Sequence, residues 1–238
     1  MSLRSCSGIA GILFDKDGTL IRYDESWGPV NREAARIAAA GDVQLEPLLL
    51  LAVGMDPQTG LTRADSLLAA GNAAEIALGF AAAGSPIDAA ELTVLLDELF
   101  VRATEYAVPV TDLHALFSRL KARGLKLGIA SSDNELSIRQ TAERFGITSC
   151  VDFVAGYDSG FGTKPDAGML LGFCAATRLE PRQVAMVGDN RHDLQMGANA
   201  GAGVKIGVLT GTGSRETLDG LADICVEDIT ALETLLRG

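Results

Sequence analysis

The sequence contains few of the residues that form covalent cross-links or thiolate metal sites. It has four cysteines and two histidines in 238 residues. The cysteines lie far apart and form no C-x-x-C pair; they are Cys6, Cys150, Cys174 and Cys225. A disulfide scaffold and a zinc knuckle are therefore not expected, and free thiols in a reducing compartment fit better. With two histidines and no G-x-S-x-G motif, a serine-hydrolase triad has no support either.

Positive charge and long apolar runs are also scarce. Lysine and arginine number 20 against 31 aspartates and glutamates, which gives a net charge of −11 without a basic cluster. The bulk field of such a chain disfavours nucleic acid and anionic membranes as partners. No apolar stretch approaches the ~18 residues that span a bilayer. The segment Met1–Phe14 has one arginine, a short apolar run and no small-residue cleavage site, so we expect no secretory signal and a cytoplasmic protein.

Apolar runs alternate with helical patterns through the second half of the chain. The spacing of Leu113, Leu116, Phe117 and Leu120 is typical of an amphipathic helix. Short runs rich in Val, Ile and Leu predict five strands, at Ile9–Phe14, Leu125–Ala130, Val151–Ala155, Val184–Val187 and Val204–Val208. Further helices are predicted near Leu136–Phe145, Met169–Thr177 and Leu194–Ala200. The alternation predicts an α/β fold with a doubly wound parallel sheet and helices on both faces.

Residues 22 to about 108 interrupt this alternation. The stretch is rich in Ala and Leu, shows no convincing strand and carries a helical stripe from Leu92 to Phe100. We predict an all-helical cap over residues 22–108, inserted into an α/β core of residues 1–21 and 109–238. Candidates in the cap for facing a substrate are Arg22, Tyr23, Trp27, Arg63 and the Gly54–Gly60 loop with Asp56, although ordinary packing accounts for each as well.

Polar side chains follow four of the predicted strands. The first strand is followed by Asp15-Lys16-Asp17-Gly18-Thr19 and the second by Ser131-Ser132-Asp133-Asn134. The third leads to a glycine-rich loop that ends in Gly162-Thr163-Lys164-Pro165, and the fourth to Gly188-Asp189-Asn190-Arg191-His192-Asp193. Ligands of open α/β sheets bind beyond the carboxyl ends of the strands, so these groups should converge on one crevice.

Carboxylates, hydroxyls and a lysine together suit phosphoryl transfer. A carboxylate can attack phosphorus and form an aspartyl-phosphate. It also repels a phosphate, so a divalent cation must bridge the two, and oxygen ligands such as Asp15 and Asp189 favour Mg²⁺. A lysine and donor hydroxyls then neutralise and orient the phosphoryl oxygens. A nucleotide cradle has no support, because Gly211-Thr212-Gly213 does not complete G-x-G-x-x-G and no G-K-[ST] is present.

The run Phe14-Asp15-Lys16-Asp17-Gly18-Thr19-Leu20 resembles the first motif of the haloacid dehalogenase superfamily of phosphatases. The three later strand ends resemble the remaining motifs of that family, in the same order. The resemblance covers the core, and the layout with a helical cap after the first motif is similar to the phosphoglycolate phosphatase-like branch. It implies a Mg²⁺-dependent phosphatase that acts on a small phosphorylated metabolite such as phosphoglycolate.

The resemblance implies a role for each carboxylate. Asp15 would be the nucleophile and a Mg²⁺ ligand. Asp17 would protonate the leaving oxygen and then deprotonate the hydrolytic water, while its backbone carbonyl coordinates the metal. Asp189 would be a further metal ligand, and Asp193 would support the metal site, although it could instead cap the following helix. If strand alternation continued past Asp15, the side chain of Lys16 would point away from both neighbouring aspartates.

Phosphate binding falls, by the same resemblance, to three residues of the second and third motifs. Ser131 would donate to the phosphoryl group together with the backbone N–H of Ser132, and Lys164 would pair with the nucleophile and the phosphate. Asn is frequent in the family where this chain has Ser132, so a side-chain role at that position is open.

Other functions remain as alternatives. A mutase-type phosphotransferase on sugar phosphates shares all four motifs and differs in that a second substrate hydroxyl replaces water. A dehalogenase fits less well, because attack on a carbon–halogen bond needs no leaving-group acid and Asp17 supplies one. A non-enzymatic phosphate sensor of the response-regulator type would be about half this length, and a phosphatase fold kept only for binding would be expected to lack a motif residue. The oligomeric state stays open.

Overall fold

A six-stranded parallel sheet forms the centre of the protein, for which the computed structural model describes residues 8–236. The strand order is β3-β2-β1-β4-β5-β6. The strands are β1 (Gly11–Phe14), β2 (Lys126–Ala130), β3 (Phe153–Ala155), β4 (Val184–Gly188), β5 (Val204–Val208) and β6 (Ile224–Val226). All five predicted strands are present, and the parallel α/β fold is confirmed. The edge strand β6 was not expected; its apolar run, Ile-Cys-Val, is only three residues long and half-buried.

Helices cover both faces of the sheet. They are α6 (Leu113–Ala122), α7 (Glu135–Arg144), α8 (Gly168–Thr177), α9 (Arg191–Ala200), α10 (Arg215–Leu218) and α11 (Leu232–Leu235). Successive side chains of β1 alternate between the faces, as a strand requires. Phe14 packs on one face against Phe117 of α6, with ring centroids 5.1 Å apart, whereas Leu13 joins Phe173 of α8 and Met196 of α9 on the other.

Five helices lie between β1 and α6 and form the cap. They are α1 (Tyr23–Ala38), α2 (Glu46–Val53), α3 (Leu67–Ala70), α4 (Ala73–Ala82) and α5 (Ala89–Ala103). Apart from one isolated antiparallel bridge between Met55 and Thr62, this part of the described chain has no strand pairing of its own. It has a separate hydrophobic core, in which Phe80, Leu92 and Leu96 are fully buried. The all-helical cap is therefore confirmed.

The two chain segments that join the cap to the sheet run side by side. The backbone N–H of Arg22 donates to the carbonyl of Val108 at 2.8 Å, and the N–H of Val110 donates to the carbonyl of Leu20 at 3.0 Å. The cap is therefore attached through a short neck of two paired segments. None of the helices that the structure describes is both long enough and apolar enough to cross a membrane.

The cysteines within residues 8–236 form no disulfide. Cys150, Cys174 and Cys225 are free thiols, the first two of them buried. Cys6 lies outside the described residues.

The register of the sheet aligns the ends of the central strands. Phe14, the last residue of β1, is paired with Ile129 of β2 and with Val187 of β4. The strand order reverses direction between β1 and β4, which creates a crevice at the carboxyl ends of these two strands. The residues that follow β1, β2 and β4 therefore lie around one crevice.

Candidate active site

Three buried carboxylates meet at this crevice. Asp15 follows β1, Asp189 follows β4 and Asp193 lies in the first turn of α9, and one carboxylate oxygen of each lies within 4.8 Å of the others. The Nζ of Lys164, from the loop between β3 and α8, is 2.6 Å from Asp15 Oδ1 and 2.6 Å from Asp193 Oδ1. One ammonium balances one of three carboxylates, so the cluster keeps an excess of negative charge.

The cluster fits a divalent cation with oxygen ligands. Asp15 Oδ2 is buried and lacks a hydrogen-bond partner. Buried polar atoms of folded proteins are nearly always satisfied, so this oxygen is expected to meet a ligand. Mg²⁺ prefers carboxylate and carbonyl oxygens as ligands. Its two positive charges would balance the two carboxylate charges that Lys164 does not neutralise. The side chains of Asp15, Asp189 and Asp193 are thus suited to hold it.

Burial and mutual repulsion perturb these carboxylates. Burial raises the pKa of Asp15 from 3.8 to about 6; Asp193 acts in the same direction and Lys164 opposes. Burial, together with the charges of Asp15 and Asp193, raises the pKa of Asp189 well above its usual value. Burial lowers the pKa of Lys164, but Asp15 and Asp193 outweigh it and leave that pKa raised, so the lysine stays charged. A bound cation would relieve the repulsion among the carboxylates.

Glycines allow the backbone to close around Asp189. Gly18 has φ +85°, and a Cβ there would lie 2.7 Å from the Asp189 carboxylate. A Cβ at Gly211 would lie 1.9 Å from Asp189 Oδ2, and the neighbouring Thr212 N–H donates to that oxygen at 2.9 Å. The loop after β5 and the turn after β1 therefore both enclose this carboxylate. Sequence reasoning missed the role of this loop, because Gly211-Thr212-Gly213 was tested only as part of a nucleotide motif.

Asp17 lies beside the cluster with its two oxygens in different surroundings. Trp27 Nε1, from the cap, donates to Asp17 Oδ1 at 2.6 Å, and Lys16 Nζ donates to the same oxygen at 2.9 Å. Oδ2 has the Ser131 hydroxyl at 3.4 Å. Burial raises the pKa of Asp17, with Lys16 opposing and the Asp133 charge adding to the rise. A carboxyl with a raised pKa and one lightly bonded oxygen is suited to exchange a proton.

The expected orientation of Lys16 was wrong. Its Nζ lies 2.9 Å from Asp17 Oδ1 and 2.9 Å from Asp133 Oδ2, and its side chain is buried between the two. The chain turns directly after β1, where the N–H of Leu20 donates to the Lys16 carbonyl at 2.8 Å, so strand alternation ends at this point. Lys16 therefore holds the Asp17 carboxylate instead of facing away from it.

The second motif connects the core to the cap. The Ser131 hydroxyl accepts from the Asp133 N–H at 3.1 Å, which orients it at the crevice. The Ser132 hydroxyl donates to the carbonyl of Ala70, the last residue of α3, at 2.9 Å. Its side chain thus contacts the cap, a role that the sequence did not indicate.

Asp193 caps α9 and contacts Lys164, whereas its role at a metal site stays a prediction. Oδ2 accepts from the N–H of Asn190 at 3.0 Å, which caps α9, while Oδ1 contacts Lys164.

The Asn190 side-chain oxygen accepts from the His192 N–H at 3.1 Å, and this bond fixes the orientation of the amide. The Nδ2 of Asn190 is buried without a partner, as is His192 Nδ1. Both residues line the crevice and were not selected from the sequence as site residues.

The cap covers the crevice in part and leaves a partly open cavity of about 50 Å³. Since a single water needs roughly 10–15 Å³, this space suits a compound of a few non-hydrogen atoms. All seven residues selected from the sequence line it, namely Asp15, Asp17, Ser131, Ser132, Lys164, Asp189 and Asp193.

Two of the cap candidates also line the cavity, namely Tyr23 and Trp27. The others do not. Arg22 lies 3.8 Å from Glu25, Arg63 donates to the Leu51 carbonyl at 3.4 Å, and Asp56 accepts from the Gln58 N–H at 2.7 Å within its own turn.

Known proteins resemble this chain in sequence and in fold. The sequence profile of the haloacid dehalogenase-like hydrolases matches residues 9–201. A phosphoglycolate phosphatase of Caulobacter vibrioides is 27% identical over 81% of this chain and 76% of its own, and one of Shigella boydii serotype 4 is 27% identical over 89% and 85%. The crystal structure of a predicted phosphoglycolate phosphatase from Haemophilus somnus shares the fold, with a TM-score of 0.75 at 18% identity over 97% of this chain and 99% of that one.

Proposed function

This chain belongs to the haloacid dehalogenase-like hydrolase family, and we propose that it is a Mg²⁺-dependent phosphatase that hydrolyses a small phosphomonoester through an aspartyl-phosphate on Asp15. One observation carries the proposal. Asp15 lies at the end of the central strand with Asp189 and Asp193 within 4.8 Å and Lys164 at 2.6 Å, which is the chemistry that phosphoryl transfer to a carboxylate requires.

The first step transfers the phosphoryl group to the protein. An Asp15 carboxylate oxygen attacks phosphorus, and the bond between phosphorus and the ester oxygen breaks. Asp17 gives its proton to the departing oxygen, so that an alcohol leaves. Lys164 and the Ser131 hydroxyl hold the phosphoryl oxygens in line for the attack. Asp15, Asp189, Asp193 and the Asp17 carbonyl would hold Mg²⁺, which would supply the charge that offsets repulsion between carboxylate and phosphate.

The second step regenerates Asp15. Asp17, now ionised, takes a proton from a water molecule, and the resulting hydroxide oxygen attacks phosphorus. The bond between phosphorus and the Asp15 oxygen breaks, and inorganic phosphate leaves. Trp27 and Lys16 favour the ionised form of Asp17 needed here, because both donate to its Oδ1. The partly covered cavity limits access of other water to the intermediate.

Phosphoglycolate is the first metabolite to assay, because it is the compound that the names of the two curated relatives carry. The limits of the core (1–21 and 109–238) and the cap (22–108) and a cytoplasmic location stay predictions.

The experiment measures release of inorganic phosphate from p-nitrophenyl phosphate and a panel of phosphorylated metabolites. Activity should require Mg²⁺ and disappear in EDTA. Asp15→Asn should lose turnover, whereas Asp166→Asn, which changes an exposed aspartate near Lys164, should keep it. A phosphorylated Asp15 should be detected by mass spectrometry after acid quenching. Full activity in EDTA, or comparable turnover by Asp15→Asn, contradicts the proposal. Transfer to a second substrate hydroxyl without net phosphate release would indicate the mutase alternative.

A further inference from the structure

The roof of the cavity, by which we mean the cap residues that line it, is uncharged. Six side chains larger than alanine form it: Tyr23, Trp27 and Asn31 of α1, Leu68 of α3, Ile76 of α4 and Phe100 of α5. Each of them is at most 8% exposed. The substrate's organic group, which points away from the phosphoryl site, therefore meets mainly hydrocarbon and aromatic surface.

The polar atoms of the roof are largely committed to the protein. The Tyr23 hydroxyl donates to the Leu68 carbonyl at 2.6 Å, and Trp27 Nε1 donates to Asp17. Asn31 Nδ2 contacts the Tyr23 hydroxyl at 3.4 Å and Thr62 Oγ1 at 3.5 Å. The six side chains of the roof include no ammonium or guanidinium group, and these bonds already engage most of its polar atoms. The roof therefore offers no cation to a substrate anion.

The arginines of the cap point elsewhere. Residues 22–108 contain five arginines and no lysine. None of these arginines is among the residues that line the cavity. Their partners lie on the cap itself: Glu25 for Arg22, the Pro57 carbonyl for Arg32, Glu33 for Arg36, the Leu51 carbonyl for Arg63 and the Glu98 carbonyl for Arg102.

The floor of the cavity adds negative charge. Five carboxylates line it, and the two lysines in contact with them, Lys16 and Lys164, each already lie between two carboxylates. Carboxylates exceed lysines by three, and a divalent cation offsets two of these charges. The remaining free polar atoms, Asn190 Nδ2 and His192 Nδ1, are suited to a hydroxyl or carbonyl oxygen of the substrate.

From this arrangement we infer that the substrate's organic group carries no second anionic group. The inference rests on the proposed function and narrows it to monophosphate esters of small, uncharged alcohols. A carboxylate, as in phosphoglycolate, or a second phosphate would be buried against the roof without a counter-ion and close to the carboxylates of the floor. The same surface disfavours a mutase, which must hold the second phosphate of a bisphosphate there.

Two matched pairs of substrates test the inference. Phosphoglycolate is compared with its amide, carbamoylmethyl phosphate, which has nearly the same shape and no second charge. Propane-1,3-diol bisphosphate is compared with 3-hydroxypropyl phosphate. With Mg²⁺ present, kcat/KM for the uncharged member of each pair should be at least about tenfold higher, since the site leaves an anion unpaired. Higher kcat/KM for the anionic member of either pair, or equal values, would overturn the inference.

A pair of variants links the preference to the roof. Ile76→Lys places an ammonium in the roof, and Ile76→Met is its uncharged control of similar length. The lysine variant should raise kcat/KM for phosphoglycolate relative to its amide by about tenfold, whereas the methionine variant should leave the ratio unchanged. Leu68→Lys and Leu68→Met repeat the comparison if the Ile76 variants do not fold. An unchanged ratio in a folded lysine variant would show that the roof does not set the preference.

The assay separates the inference from the proposed function. Turnover of p-nitrophenyl phosphate with Mg²⁺, together with a preference for phosphoglycolate over its amide, rejects only the inference. No phosphate release from any compound, including p-nitrophenyl phosphate, rejects the proposed function and the inference with it.

Discussion

Replacing the proposed nucleophile should make the metal-free protein more stable. Burial raises the pKa of Asp15 from 3.8 to about 6. At neutral pH the carboxylate is ionised in both states, but its ionisation is less favourable in the folded protein than in the unfolded chain. A pKa difference of one unit corresponds to about 1.4 kcal/mol, so ionised Asp15 costs about 3 kcal/mol at pH 7.5. Asp15→Asn removes this charge and keeps an oxygen that can accept from Lys164. The variant should therefore gain up to about 3 kcal/mol while losing turnover.

The pH dependence gives this prediction a second check. The pKa of Asp15 is raised in the folded state. The free energy of unfolding of the wild type therefore compares best with that of the variant below pH 3.8, and it falls relative to the variant as the pH rises through 6. The advantage of Asp15→Asn should thus grow from about 1 kcal/mol at pH 4.5 to about 3 kcal/mol at pH 7.5.

Urea and thermal unfolding in EDTA measure the effect. For a chain of this length a gain of about 3 kcal/mol at pH 7.5 corresponds to roughly 6–12 °C in Tm. Asp166→Asn, which removes an exposed charge, serves as the control and should change Tm little at either pH. An Asp15→Asn variant that is less stable than wild type at pH 7.5, or whose advantage does not grow with pH, would refute the reasoning.

Three further predictions follow from the same geometry. Mg²⁺ should raise the Tm of the wild type at pH 7.5 and raise that of Asp189→Asn much less, because the variant lacks one ligand; equal Tm increases would contradict the metal site. Asp17→Asn should lower kcat/KM for alkyl phosphates by about 10²–10⁴-fold and lower it less for p-nitrophenyl phosphate, with a burst of nitrophenol because Asp17 also serves the second step; equal losses of kcat/KM would argue against proton transfer from Asp17 to the leaving group. Trp27→Phe removes a donor to Asp17 Oδ1, which should raise the pKa of Asp17 and shift the Asp17-dependent limb of the kcat pH profile to higher pH. An unchanged profile would contradict an effect of this hydrogen bond on the pKa of Asp17.

The sheet could be predicted because its strands are buried on both faces. Continuous apolar runs such as Val184–Val187 and Val204–Val208 are typical of parallel strands. The polar residues that follow such strands in the sequence then indicate where the crevice lies. The edge strand β6 lies between Asp223 and Glu227, and its half-buried apolar run of three residues is too short to predict a strand. Asp15, Ser131 and Asp189 were found for a related reason, since each directly follows a strand whose end is set by the apolar pattern.

The contacts between cap and core could not be predicted, because they depend on how separate elements pack. Trp27 reaches Asp17 only because the first turns of α1 lie over the crevice, while Arg22, five residues earlier, faces Glu25 at the surface. The hydroxyl of Ser132 meets the Ala70 carbonyl from a helix 62 residues away in the sequence. No local pattern specifies such pairs, and helical periodicity indicates only that a side of each helix is buried.

The turn after β1 illustrates a different limit. Alternation describes a strand only as long as the chain stays extended, and Gly18, with φ +85°, makes the chain turn back directly after Asp17. This turn places Lys16 between Asp17 and Asp133 and brings Gly18 against Asp189. The sequence D-K-D-G contains the signal for a turn, since glycine after aspartate favours one, but not the direction of the lysine.

The proposed metal requirement and the inferred charge of the substrate follow from the same imbalance. The floor gathers five carboxylates, two lysines and glycines that hold the backbone close, so its excess charge cannot be relaxed by moving apart. A divalent cation is the group that makes a dianionic phosphoryl group acceptable at this floor, and it leaves no positive charge for a second anion. In the inference drawn above, the roof selects by shape and by the absence of charge, and Trp27 is the roof residue that also contacts the proton-transfer group Asp17. Since the two surfaces come from different segments of the chain, the chemistry could be recognised from motifs in the core, whereas the preference among substrates depends on residues that no motif marks.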